Sequence, residues 1–162
     1  MKQQKGFTLI ELIIVIVILG ILAVTAAPRF IDIQKDARTE TMQGVKAAIQ
    51  GASQLVYAKA AIKGVQKAAD STVTIGTDTI DIKYGYPDAA NLTTMAAFQE
   101  FVDIDDEKLE IEAVSTADTV RVKYVGIDSD DSGSTPLGCY IIYRGATGEG
   151  VVPSITVNSS SC

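Results

Sequence analysis

From Phe7 to Ala27 the chain is almost wholly apolar, and Glu11 is the only ionisable side chain in that stretch. A membrane-spanning helix needs about 20 mainly apolar residues, so this segment predicts a spanning stem. Gly20 and Pro28 interrupt an otherwise helical pattern. A proline inside a helix removes one hydrogen bond and clashes with the carbonyl four residues back, which predicts a kink or a break. Beyond it Val45, Ile49, Ala52, Val56 and Ala60 recur at spacings of four, three, four and four. That is one face of an amphipathic helix, and it leaves Lys46, Gln50 and Lys59 to the other faces. A helix continuous over residues 7–63 would extend roughly 85 Å at 1.5 Å per residue. Gly44, Gly51 and the neighbouring alanines permit close approach of another helix, or packing against a sheet.

After the helix the pattern changes to strands. Val73, Ile75, Ile80 and Ile82 alternate about Gly76-Thr77-Asp78, which predicts a hairpin. Leu92, Met95 and Phe98 have helical spacing within residues 91–101. Residues 109–113 and 120–124 alternate as half-buried strands, and 139–144 and 155–157 supply two more candidates, with Pro153 suited to a strand start or an edge. The expected fold is α+β: a long N-terminal helix packed on an antiparallel sheet, with a stem at 7–27 and a β-rich head at 64–162.

Composition narrows the function classes. Of 162 residues 47% are hydrophobic, none is histidine, and 14 basic against 20 acidic side chains give a formal charge of −6. An acidic balance speaks against nucleic acid as a partner. Without histidine there are no Ser-His or Cys-His nucleophile pairs and no near-neutral acid–base group, so no catalytic residue is assigned. For the first thirty residues a cleaved secretory signal competes with a spanning stem, since Lys2 and Lys5 fit its basic start and Thr25-Ala26-Ala27 its cleavage site. Pro28 directly after that bond and Glu11 inside the apolar stretch weigh against it. An interfacial helix would need a polar face, which Leu12–Leu22 lacks. An acidic side chain costs about 2.5–3.5 kcal/mol at the centre of a membrane helix. Glu11 is therefore either a boundary carboxylate reaching the interface or one kept for a cation that arrives from elsewhere.

Lys5-Gly6-Phe7-Thr8-Leu9-Ile10-Glu11-Leu12 and the apolar run behind it resemble the leader and stem of the type IV pilin family. The resemblance extends to Thr25-Ala26-Ala27-Pro28-Arg29-Phe30 and to Tyr84-Gly85-Tyr86-Pro87, which are similar to one class of major pilin. It implies a leader at 1–6, cut between Gly6 and Phe7 by a prepilin peptidase, followed by methylation of the Phe7 amine. It further implies that Glu11 pairs with the Phe7 amine of a neighbouring copy during assembly. Lysine and arginine counts on the two sides of the stem do not favour an N-inside orientation; the resemblance supplies it. The implied life cycle is an inner-membrane prepilin that meets the pilus assembly machinery, and then a homopolymeric surface filament for attachment and biofilm formation. The alternative within the superfamily is a major pseudopilin of a type II secretion system.

In such an exported protein the two cysteines, Cys139 and Cys162, suggest a bridge rather than two free thiols, and the spacing resembles the disulfide-bounded C-terminal loop of pilins. Asp128, Asp130 and Ser132 before Gly133 look like the opening of a calcium loop, although position twelve is Cys139 where a glutamate belongs. A weak Ca2+ site is the functional expectation there, and an acidic surface turn is the plain one. Asp103, Asp105, Asp106 and Glu107 read as a solvated loop. No cofactor is otherwise expected.

Overall fold

The computed structural model describes residues 6–114, 118–127 and 137–162, with the backbone alone for 27–32. Helix α1 (Leu9–Lys63) is 55 residues long and continues through both Gly20 and Pro28. The break that the proline allows does not occur: the ring removes a single hydrogen bond, and good helix formers on both sides hold the rest. The chain divides into two compact units, Met1–Ala37 and Arg38–Cys162.

The second unit contains the last turns of α1 and two antiparallel sheets. Strands β1 (Ser71–Ile75), β2 (Asp78–Lys83) and β3 (Tyr86–Pro87) form the first sheet in that order. Strands β4 (Leu109–Ala113), β5 (Thr119–Tyr124), β6 (Tyr140–Arg144) and β7 (Ser154–Asn158) form the second as a simple meander. In chain order the one-turn helix α2 (Met95–Gln99) separates the sheets, its start capped by the Thr94 hydroxyl accepting from the Ala97 N–H at 3.2 Å. The strand pattern thus resolves into two sheets where alternation alone suggested one. Alternation sets which face of a strand is buried, whereas only the hydrogen-bond ladders decide which strands share a sheet.

The β1–β2 hairpin turns on Gly76-Thr77, with Gly76 at φ +63°, the positive φ that a two-residue hairpin requires. Its register sets buried Val73 opposite buried Ile80. Along α1, Met42, Ile49, Val56 and Ala60 are fully buried and share one core with Ile82, Val120, Val122, Ile141 and Tyr143. Two polar contacts tie the sheets together. The Tyr143 hydroxyl donates to the Pro87 carbonyl at 2.8 Å, and Lys83 Nζ meets Asp118 Oδ2 at 2.7 Å. Burial raises the Tyr143 phenol far above its ordinary range, so this donor keeps its proton.

Gly85 has φ +86°, and a Cβ there would sit 2.8 Å from the Tyr57 ring. That ring stacks on Tyr86 with centroids 4.7 Å apart. Only glycine gives both the backbone angle and the clearance, so the Tyr84-Gly85-Tyr86-Pro87 run owes its glycine to packing.

Candidate functional site

The first unit presents its chemistry at the N-terminal end of α1. Phe7 is 88% exposed. Behind it Leu9–Ala26 is the one span among the described residues long and apolar enough to cross a membrane, and none of it is buried within the chain. Thr8 closes the end of the helix. Its backbone N–H and its hydroxyl both donate to Glu11 Oε2, at 2.8 and 2.7 Å, and its Oγ1 accepts from the Glu11 N–H at 3.3 Å. This is a capping box, in which two backbone donors that a helix start leaves unmatched are satisfied reciprocally.

The sequence reading gave Glu11 no partner inside the stem, yet the Thr-x-x-Glu spacing carried that signal. Capping occupies Oε2 only. Oε1 makes no hydrogen bond with the described residues, so the carboxylate can hold its own helix end and still accept a cation from outside. Negative charge in the first turn also suits the positive end of the helix dipole. Gly6 and Phe7 adjoin this arrangement in the chain, at the exposed start of the helix.

The second feature lies in the other unit. Cys139 and Cys162 are bonded, with Cα atoms 4.7 Å apart, which brings the end of the described chain to the start of β6. The tail that the bridge closes is held at several further points. Ser161 N–H donates to Gly138 O at 3.1 Å, Gly138 N–H donates to Ser160 Oγ at 3.1 Å, and Ser160 Oγ also meets Asn158 Oδ1 at 2.7 Å. From α1, Arg38 Nη1 donates to the Cys162 carbonyl at 2.8 Å, and its guanidinium lies 5.6 Å from the Tyr124 ring centroid. Nothing in the sequence spacing pointed to Arg38. The contact spans 124 positions and becomes visible only once the bridge and the sheet are in place.

Asp128, Asp130 and Ser132 lie outside the described residues. The second acidic run is exposed except for Ile104. Lys108 pairs with Asp105 there and holds its carboxyl below the usual range, as a solvated turn allows.

Residues 1–27 match the family model described as the prokaryotic N-terminal methylation motif. The start of this chain is similar to that of proteins that carry this motif. Over 63 residues it is 46% identical to the type IV narrow pilus major component PilA5 of Thermus thermophilus, covering 39% of this chain and 53% of that protein. Over 45 residues it is 56% identical to a fimbrial protein of Pseudomonas aeruginosa, covering 28% of each chain. Over 72 residues it is 42% identical to fimbrial protein Q of Moraxella bovis, covering 44% of this chain and 46% of that one. The matches thus span about half the length of these curated relatives, or less. No solved structure gives a significant match.

Proposed function

We propose that the chain is the major structural subunit of a type IV pilus, polymerising through its N-terminal helix into a surface filament. The observation that carries this reading is the pairing of a methylation motif with an apolar helical span, Leu9–Ala26, none of which is buried within its own chain. Such a surface is stable in lipid before assembly and among copies of itself afterwards, but not in water. The relatives' printed descriptions as pilus and fimbrial proteins agree with it. Within the family, Thr25–Phe30 and Tyr84–Pro87 favour the major pilin of mannose-sensitive haemagglutinin (MSHA) pili, with attachment and biofilm formation as its role.

In this reading a prepilin peptidase cuts after Gly6 at the cytoplasmic face of the inner membrane, and the freed Phe7 amine is methylated. The assembly machinery then extracts the subunit. Glu11 offers its open oxygen to the Phe7 amine of a neighbouring copy, which neutralises the costliest group in the stem. The disulfide-closed head faces outward.

Intact-mass analysis of subunits from the cell surface tests this. The expected mass is that of a chain beginning at Phe7 with one added methyl and the two cysteines joined. A mature chain beginning near Pro28 would mean that the stem is a discarded signal, and the filament reading would fall.

A further inference from the structure

Gln50, Ser53 and Gln54 stand three and four positions apart on α1, so their side chains are neighbours along one flank of the helix. Facing them are Tyr86 and, at the start of β7, Pro153 and Ile155, and the groove between the two walls holds about 330 Å³. Gln50 and Gln54 are exposed at its rim, whereas Ser53 is only 4% exposed. The Ser53 hydroxyl makes no hydrogen bond with the described residues. The Tyr143 phenol beside it has no proton to offer, because it donates to the Pro87 carbonyl at 2.8 Å. A buried hydroxyl without a partner is costly, and native structures rarely leave one so. An alanine would fill this turn of the helix without that cost.

The lining indicates what would pair with it. No acidic or basic side chain lines the groove, so a charged ligand would find no counter-charge there. Each glutamine amide offers a donor and an acceptor side by side, which matches adjacent hydroxyls that both donate and accept. The Ser53 hydroxyl supplies a third such point below them. The facing wall is of another kind: the tyrosine ring, the proline ring and the isoleucine suit a ligand face made of C–H groups. A molecule with hydroxyls along one edge and C–H groups on a flat face is a sugar ring. The volume is at the lower end of that of small-molecule sites, with room for one ring rather than a chain of them.

We propose that this groove is a binding site for a single neutral sugar ring, the terminal hexose of a glycan. Ser53, Gln50 and Gln54 hold its hydroxyls, and Tyr86, Pro153 and Ile155 cover its apolar face. The glutamines at the rim are exposed, so the rest of a glycan can extend into solvent. The groove lies wholly within the second unit, and the site stands independently of the filament reading.

The test uses the full-length chain in a detergent without a sugar headgroup, with the methyl glycosides of glucose, galactose and mannose as probes and saturation-transfer NMR as the readout. At least one of the three is expected to bind at millimolar concentration. Ser53→Ala and Gln54→Ala should each weaken that binding about tenfold, the loss that follows from one hydrogen bond to an otherwise unpaired group. Lys59→Ala, outside this groove, should leave it unchanged. Without sugar, Ser53→Ala should melt at or above the temperature of the parent, since it removes a hydroxyl that has no partner. Binding of none of the three glycosides, or binding that Ser53→Ala and Gln54→Ala leave unchanged, would overturn the site and leave the hydroxyl to water. A Ser53→Ala variant that melts well below the parent would also overturn it, by showing that the hydroxyl is already paired inside the head.

Discussion

Glu11→Val is expected to leave the subunit in the membrane and all but abolish filaments. The substitution removes a carboxylate from an apolar helix, so insertion stays the same or improves. On the proposed function, assembly then loses the counter-charge offered to the incoming Phe7 amine. Removing one partner of a desolvated ion pair costs about 3–5 kcal/mol, and at about 1.4 kcal/mol per factor of ten surface filaments should fall by a hundredfold or more. The capping box makes the choice of control important, because Glu11 also satisfies the Thr8 N–H. Glu11→Gln keeps an acceptor for that cap and lacks the charge. Filament counts by electron microscopy in the two variants separate the roles. Loss in both means that the charge drives assembly, whereas loss in Glu11→Val with normal counts in Glu11→Gln would reduce Glu11 to a helix cap.

Cys162→Ser gives the largest effect on the head itself. The bridge closes a loop with a sequence separation of 23, which constrains the unfolded chain by about 3–4 kcal/mol. For a unit of this size the melting temperature should drop by about 10–15 °C. The loss spreads through neighbours that the bridge positions. Without it the tail from Asn158 to Cys162 keeps only its hydrogen bonds, to Gly138 and within itself, and the Arg38 contact to the Cys162 carbonyl no longer has a fixed target. Thermal melts of the full chain in detergent, for the parent and for Cys162→Ser, measure this. Equal melting temperatures would show that β7 and the serine-rich tail are held by the sheet alone.

The legible parts of the sequence were those in which one physical constraint dominated. The apolar helix could be read because only Thr8, Glu11 and Thr25 are polar within residues 7–27, a composition with few other uses. The inner face of α1 could be read because Ile49, Val56 and Ala60 must meet a core, and they are fully buried. The hairpin at Gly76 was marked by alternation on both sides of a turn. Features that depend on pairing between distant segments left weaker marks. Residues 86–87 read as nothing more than part of a resemblance. They form a strand because Ile82 lies opposite Pro87 and Lys83 opposite Tyr86. The partition into two sheets and the Arg38 contact belong to the same group. The Thr8–Glu11 cap differs from these. Its signal was local and legible, but the apolar run around it drew attention to Glu11 as a charge rather than as a cap.

The most direct test of the account is a look at surface material sheared from cells that produce the chain, by electron microscopy with mass spectrometry of the same preparation, beside cells in which the gene is deleted. The account predicts thin filaments whose dominant polypeptide is this chain, absent from the deletion strain. Unchanged filaments in the deletion strain, with the chain found only in the membrane fraction of the parent, would contradict it.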